Sequence, residues 1–408
     1  MKELQITIVG KVFNANKNKV LILNQTLEEY FKLVKWYLNF NIVSKTKLHN
    51  KSYELAKKMF NLNTALIQTA RDKAIEILKS FNKVKRKSSK LKLKRIAIRF
   101  DERCYQFDKT DNILTPYWLT LRINKEKRIS LPIVFGEKQK QRIEEALKNE
   151  WKFATVEMVK RDGKWYAHFV LKRTISGIDE PETIIAIDIG EHNLATATKI
   201  LINNPNKPVQ GRFWKGVEIK KTRGLYSHIQ RNLMRKKNLK EVKRLGKKVK
   251  RKTNYLLHII VNQIIDYTKQ SSKPVIVMED ITHIREKFDK GRKLNKRFHS
   301  LPFRKLQTYI EYKALLNGIP VYYLPKNLVK NTSKTCHRCG YVAQVKGREI
   351  KCPNCGLRYN RDLNASVNIA HRLMRSMGWG SCGSPKPANE ELGVKPTLNA
   401  GNFTQEVR

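Results

Sequence analysis

Two short motifs, Cys336-His337-Arg338-Cys339-Gly340 and Cys352-Pro353-Asn354-Cys355-Gly356, constrain this chain more than any other feature. A CxxC knuckle presents two thiolates on one side of a tight turn, and the glycine that follows lets the chain reverse. Two such knuckles, with twelve residues between Cys339 and Cys352, fit a single tetrahedral four-thiolate zinc ion. With all four positions taken by sulfur, such an ion holds structure, as in a zinc ribbon, and leaves no open position for catalysis. The competing reading is a quartet left reduced or joined as disulfides. The N-terminus, Met1-Lys2-Glu3-Leu4-Gln5, lacks an apolar signal region, so no export is read and metal is favoured. His337 lies inside a knuckle and is read as a spectator; Cys104 and Cys382 are read as isolated strand and tail thiols.

Charge narrows the partner. Lys+Arg 84 against Asp+Glu 35 leaves a formal +49, and self-repulsion on that scale opposes compactness unless a polyanion neutralises it. With 40% hydrophobic residues the chain is nonetheless not wholesale disordered. No apolar run approaches the roughly 18 residues of a membrane-spanning helix, and the charge is spread over segments with no amphipathic anchor, so a membrane partner is excluded in favour of nucleic acid. Residues 212 to 252 carry seventeen Lys/Arg against Glu218 and Glu241 alone. Pairing along a helix cannot neutralise that excess, and the segment is read as facing nucleic acid rather than as a solvated helix face. A second basic run spans Lys83 to Lys94.

Periodicity divides the chain. The first 23 residues read as a strand pair, Leu4 to Ile8 and Val20 to Leu23, with helix taking over from Thr26 as an N-cap. A second helical stretch runs from about His49 to Phe81. Residues 95 to 173 change to strand periodicity, with a probe of hairpin chemistry at Asp162-Gly163 and a helix near Gln139 to Asn149. From Thr183 short apolar strands, IIAIDIG and PVIVMED, are separated by a long helical region whose apolar end, Leu256 to Ile265, is expected on the sheet. The tail after Ser376 has no periodicity and reads as mostly disordered.

Three carboxylates stand at the ends of such elements. Asp188 ends the run Ile184 to Ile187, Glu279 ends Val275 to Met278, and Asp362 opens a helix with apolar face Leu363, Val367, Ala370 and Met374. Singly each is explained as a loop acid or an N-cap. Converged, they need a cation to stay ionised together, and oxygen-only ligands favour Mg²⁺ or Mn²⁺. Two such ions, roughly 4 Å apart, activate water and stabilise the leaving oxygen in phosphodiester hydrolysis. Arg361 is read either as a contact to the scissile phosphate or as a solvated helix-start arginine. Asp280 points to the other side of its strand from Glu279 and is read as capping.

In these residues the chain resembles TnpB, the RNA-guided nuclease of bacterial and archaeal insertion sequences. AIDIG, VIVMED, FRKLQTYIEYKALLNGIPVYYL, TSKTCHRCG, CPNCG and NRDLNASVNIAHR occur in the family's order over residues 184 to 374; FNLNTALIQTARDKAIEILKSF and DGKWYAHFVLK are similar to its N-terminal half more loosely. The resemblance implies that Asp188, Glu279 and Asp362 are the acids of a RuvC-like, RNase H-type nuclease holding two Mg²⁺, and that Cys336, Cys339, Cys352 and Cys355 hold one structural Zn²⁺. It also implies a guide RNA from the transposon end and a double-stranded DNA target. A short transposon-adjacent motif would be read by the N-terminal domains, with cleavage at a single RuvC site during transposition. One departure is the stretch KNLVKN between Pro325 and Thr332, which is longer than the family pattern.

The expected architecture is α+β and multidomain. A β-barrel-like wedge domain takes 1–24 and 91–180, a helical recognition insertion 25–90, a RuvC-like domain 181–332 and 359–376, a zinc ribbon 333–358, and a disordered tail 377–408. The expected location is the bacterial or archaeal cytoplasm at the nucleoid; no protein partner is read. A cleavage-silent guided repressor would require a broken acid triad, and this one is whole. A compact type V CRISPR effector is not separable by protein sequence, and a transposase acting without RNA predicts another acid spacing.

Overall fold

The computed structural model describes residues 2–84, 91–148, 150–175, 178, 180–208, 210–282, 291–345, 347–379 and 397–398. Part of the basic run 83–94, nearly all of the tail and Cys382 lie outside these residues. The chain forms two compact units, Gln5–Arg173 and, with the first few residues, Thr174–Gly401.

The first unit is built on a seven-stranded sheet in the order β2-β6-β7-β1-β5-β4-β3. Its strands are β1 (Lys2–Val12), β2 (Ile98–Asp101), β3 (Tyr105–Lys109), β4 (Tyr117–Arg122), β5 (Arg128–Val134), β6 (Lys152–Arg161) and β7 (Lys164–Ile175). The outermost strands β2 and β3 are consecutive in the chain, joined by a turn in which Cys104 N donates to Asp101 O at 2.9 Å, so the sheet must curl back on itself. Its interior is aromatic. Phe107 of β3 meets Phe169 of β7 at 4.7 Å and Phe153 of β6 at 5.6 Å, contacts across the sheet that only a barrel-like closure permits. The β6–β7 hairpin turns at Asp162 (φ 47°) and Gly163 (φ 75°), the two left-handed residues of a type I′ turn.

Helices α1 (Lys17–Asn39), α2 (Lys45–Met59) and α3 (Thr64–Val84) lie between β1 and β2, and α4 (Glu137–Leu147) lies between β5 and β6. Three expectations need correction here. Val20 to Leu23 is not a strand: α1 starts at Lys17, capped by Asn16, whose side chain accepts from Asn18 N. An apolar run of four residues carries no period, and the cap decides the matter. Thr26, expected to start the helix, is buried within it and donates to Ile22 O at 2.7 Å. The helical stretch from His49 is two helices, broken where Asn63 caps α3 through Ala65 N.

The second unit has a six-stranded mixed sheet, β10-β9-β8-β11-β12-β15. These are β8 (Thr183–Asp188), β9 (Asn193–Leu201), β10 (Gln210–Lys215), β11 (Pro274–Glu279), β12 (Val321–Leu324) and β15 (Thr397–Leu398). β8, β11 and β12 run parallel; β9 and β10 fold back antiparallel. Residues 193–201 and 210–215 are therefore strands, where a long helical region was expected from the end of IIAIDIG. Their buried residues mix Leu194, Ile200 and Trp214 with Ala195, Thr196, Ala197 and Thr198, so the apolar signal is interrupted. The helices are α5 (Val217–Arg235), α6 (Leu239–Lys269), α7 (Arg292–Ser300), α8 (Phe303–Leu316) and α9 (Arg361–Met377). The basic segment 212–252 runs through the end of β10, all of α5 and the first part of α6, and the apolar helix after it continues α6 without a break. Two residues of the tail, Thr397 and Leu398, pair with β12 as an edge strand.

The sheet's central strands are buried on both faces, which is why they read as unbroken apolar runs. Ile184, Ala186, Val275 and Val277 pack under Val367, Ala370, Leu373 and Met374 of α9, while the alternate residues Ile185, Ile187, Ile276 and Met278 are equally buried. Between β12 and α9 the chain forms a two-stranded hairpin, β13 (Glu349–Lys351) and β14 (Arg358–Asn360), beside the cysteine knuckles. This is the α+β architecture expected, a mixed sheet with the cysteine hairpin inserted between β12 and α9. No helix among the described residues is long and apolar enough to cross a membrane.

Candidate functional site

Strand alternation decides where the acids point. Asp188 shares the parity of Ile184 and Ala186, and Glu279 that of Val275 and Val277, so both carboxylates leave the sheet on the face covered by α9. β8 and β11 pair in parallel with Ile187 opposite Met278, which puts Asp188 and Glu279 side by side at adjacent strand ends. The third acid, Asp362, sits in the first turn of α9, which packs on β8, β9 and β11. Asp362 does not cap this helix. Asn360 does, its side chain accepting from Asp362 N at 2.9 Å and Leu363 N at 3.2 Å, so the Asp362 carboxylate is left for other use.

The three acids feel one another. Burial, then the charges of Glu279 and Asp362, push the Asp188 carboxyl well above the usual carboxylate range, with Arg361 pulling the other way. Burial also raises Glu279, against a hydrogen bond from Thr332 and the charge of Arg372. All three side chains are densely surrounded yet keep some surface open to solvent, so the site is both low in dielectric and reachable. They do not collapse into one ligand cluster: among the described residues only the cysteine quartet has all its ligand atoms within 4.8 Å of each other. A spread arrangement suits Mg²⁺, which takes one or two protein carboxylates and keeps water and phosphate in its remaining positions.

Of the residues that hold these acids, Thr332 and Gln307 lie inside stretches that resemble the family, without a role assigned from sequence, and Asn193 lies outside them. Thr332 Oγ1 donates to Glu279 Oε1 at 2.9 Å, Gln307 Nε2 to the Glu279 carbonyl at 2.6 Å, and Asn193 Nδ2 to Asp362 Oδ2 at 2.8 Å. Arg348 lies 3.6 Å from the other Asp362 oxygen. Arg361 donates to Ser333 Oγ at 3.4 Å while its charge reaches Asp188. Asp280 points away from the cluster and accepts from Thr282 N at 2.8 Å, a turn-capping role. One signal was present in the sequence: Asn364 and Asn368, four apart on α9, form a polar stripe on a buried helix face. Both donate to the carbonyls of Thr332 and Thr335.

The sulfur atoms of Cys336 and Cys355 are 3.6 Å apart and those of Cys339 and Cys352 3.4 Å. A disulfide needs about 2.0 Å, whereas Zn–S bonds of about 2.3 Å place tetrahedral sulfurs about 3.8 Å apart. The quartet therefore fits a four-thiolate zinc ion and not a pair of disulfides. His337 is turned away from it, its Nδ1 facing Asn364 Oδ1 at 3.0 Å while its backbone N donates to the same oxygen.

Comparison with known proteins agrees with this picture. Residues 303–369 match the family model described as Cas12f1-like, TNB domain. A TnpB-like protein of Methanocaldococcus jannaschii is 31% identical over 267 residues, covering 64% of this chain and 91% of that protein. The CRISPR-associated endodeoxyribonuclease Cas12f2 of Micrarchaeota archaeon is 29% identical over 238 residues, 52% of this chain but 41% of that longer protein. Among solved structures, the protein of a Cas12f1-sgRNA-target DNA complex superposes with a TM-score of 0.62 at 18% identity, covering 85% of this chain and 80% of that one. Identity of 31% over 91% of the Methanocaldococcus jannaschii protein shows that the chain belongs to the TnpB family, and the Cas12f matches show that it is related to the type V CRISPR effectors.

Proposed function

We propose that this protein is an RNA-guided DNA endonuclease that cuts double-stranded DNA beside a short transposon-adjacent motif, using a single RuvC site and two Mg²⁺. The observation that carries the reading is the meeting of Asp188, Glu279 and Asp362 at one end of the sheet, from positions far apart in sequence, with Asp188 strained by its neighbours' charge. Buried like charges of this kind are stabilised by cations, and the donors are all oxygen, which fits Mg²⁺ and equally Mn²⁺. When bound, such ions supply activation of the attacking water and stabilisation of the leaving oxygen. The chain's own part is to hold the ligands. Thr332 fixes one oxygen of Glu279, Asn193 fixes one oxygen of Asp362, and Asp188 completes the set from the adjacent strand end. Arg361, whose charge reaches Asp188, would contact the scissile phosphate.

The basic faces of α5 and α6 would bind guide RNA and the guide–target heteroduplex through their backbones, with sequence read by base pairing. The names of the relatives support this: one is an endodeoxyribonuclease, and the superposed protein was solved with guide RNA and target DNA. Zn²⁺ in the cysteine quartet is structural. The setting is the cytoplasm of a bacterium or archaeon, at the nucleoid. The test is to sequence the RNA that copurifies with the protein, programme a matching duplex, and assay cleavage with Mg²⁺. Asp188→Ala, Glu279→Ala and Asp362→Ala should abolish cutting while RNA retention persists. Cutting at the unaltered rate by these variants, or cutting without RNA, would refute the proposal.

A further inference from the structure

The basic helices contain a feature that a smooth cationic surface lacks. Where α5, α6 and the start of α8 meet there is a cleft of about 280 Å³ lined by Arg223, Gln230, Lys250, Thr253, Asn254 and Lys305. A second cleft of about 350 Å³ shares Arg223 and Lys305 and continues to Arg304. No carboxylate lines either one. At the bottom of the first, Thr253 is 3% exposed, and its hydroxyl has no hydrogen-bond partner among the described residues. A buried threonine within a helix ordinarily bonds back to the carbonyl four residues earlier, as Thr268 does to Ile264 O at 2.8 Å in this same helix. A buried hydroxyl left without that bond calls for a partner that is not part of the fold.

We propose that this cleft is a seat for one phosphate of a nucleic-acid backbone, gripped by Arg223, Lys250 and Lys305 with the Thr253 hydroxyl and the Gln230 and Asn254 amides as neutral donors. Every group in the lining that bears on a ligand can donate, and a phosphodiester, with several acceptor oxygens and a negative charge, is the chemistry that matches. Lys305 Nζ donates to the neutral Asn254 Oδ1 at 2.5 Å, and burial, then the charges of Lys250 and Arg223, push its ammonium below its ordinary range. The seat is also connected to the acids. Arg304 at the far end of the second cleft donates to Gln307 Oε1 at 3.1 Å, and Gln307 donates in turn to the Glu279 carbonyl. A strand anchored in the seat would be led toward the end of β11. The proposal rests on the nucleic-acid reading above and adds to it a particular backbone contact.

The test compares Thr253→Val, the double variant Lys250→Gln/Lys305→Gln, and a control pair, Lys240→Gln/Lys243→Gln, which is exposed on α6 and outside both clefts. The probes are a labelled oligonucleotide of the copurifying RNA, titrated over a range of salt, and inorganic phosphate, followed by thermal shift. The cleft pair should weaken RNA binding at least tenfold and lower the salt slope by about one phosphate contact, 0.7 to 0.9, with the control pair changing it less. Thr253→Val should weaken binding about fivefold while the melting temperature holds or rises, because it removes a hydroxyl that the fold leaves unpaired. If phosphate stabilises the wild-type chain but not the cleft variants, and RNA affinity is unchanged, the seat stands and its ligand is a free phosphate. If the cleft variants match the control pair with both probes, the seat is refuted. Failure of the wild-type chain to bind RNA at all would instead count against the guided-nuclease reading, and the phosphate arm would still decide the seat.

Discussion

Replacing Glu157 by glutamine should uncouple the helices of the first unit from its sheet. Glu157 on β6 lies directly across from Arg99 on β2, and its Oε1 accepts from Arg99 Nε at 2.9 Å and from Lys73 Nζ of α3 at 2.7 Å. Arg99 also forks onto Glu76 of α3 at 2.7 and 2.9 Å, and its carbonyl accepts from Thr69, to which Tyr30 of α1 donates. One carboxylate thus binds two cations from two elements. The side chains of Lys73, Arg99 and Glu157 are 14%, 22% and 24% exposed, so solvent cannot replace it cheaply. Burial alone would raise Glu157; the charge and hydrogen bond of Lys73, then those of Arg99, overcome it and hold the carboxyl below its ordinary range. Burial holds Lys73 below its own range despite that partner, so part of the gain is already offset by desolvating the ammonium. Breaking a buried pair costs about 3–5 kcal/mol; partial exposure, the Lys73 offset and the surviving Glu76 contact reduce this to about 2–3 kcal/mol. For a unit of this size that lowers the melting temperature by about 5–10 °C. Since Glu157 is depressed in the folded state, its contribution is present above the unfolded carboxylate value and is lost as pH falls through the folded one. The gap between wild type and Glu157→Gln in calorimetry should therefore shrink in acid. The double change Glu157→Leu/Lys73→Met should recover most of the loss. A gap under about 0.5 kcal/mol at neutral pH, or one independent of pH, would refute this account.

Three further outcomes are expected. In metal-free buffer, Asp188→Asn should melt higher than wild type at neutral pH: with Asp188 raised in the folded state, stability is full below the unfolded value and falls as pH rises through the folded one. The same change should abolish the rise in melting temperature that Mg²⁺ gives the wild type. Stripping zinc with a chelator, or Cys352→Ser, should release one metal per chain by elemental analysis and expose amides of residues 336–360 to rapid hydrogen exchange, leaving the first unit protected. Thr332→Val should raise the Mg²⁺ concentration needed for half-maximal cleavage about tenfold, while Thr332→Ser, which keeps the donor, should not.

What was legible in the sequence had chemistry concentrated at fixed spacing. The knuckles need only local geometry to bring thiolates together, and the acids stand at the ends of apolar runs whose length and β-branching mark buried strands. What was missed had no such concentration. Val20 to Leu23 is too short to show a period, and only the Asn16 cap reveals its helix. β9 breaks its apolar residues with buried threonines and alanines, and at Gly211 of β10 a Cβ would come to 2.5 Å from the Leu363 side chain of α9, which would have to shift, a constraint invisible without the helix. Thr332 and Asn193 become functional only through partners 53 and 169 residues away.

Those partners show how one helix sets the whole site. α9 carries Asp362 in its first turn, and one turn further Asn364 and Asn368 clamp the carbonyls of Thr332 and Thr335. A turn beyond that, Arg372 donates to Leu328 O at 2.6 Å, and Leu328 itself is buried in the core under α9. The stretch KNLVKN is thereby held at Leu328 and just past its end at Thr332, whose hydroxyl reaches Glu279. The same Asn364 receives the backbone of His337, between the first two cysteines. Glu279, Asp362 and the first knuckle are therefore all registered against one rigid element. A shift of the knuckle relative to α9 must break either the His337–Asn364 contact or the Thr332 clamp, and the second of these releases the Glu279 carboxylate. The ribbon is bound to the acids by hydrogen bonds that cost several kcal/mol to leave buried and unmade. Zinc loss should consequently be felt first in metal binding at Glu279, before the sheet beneath it loosens.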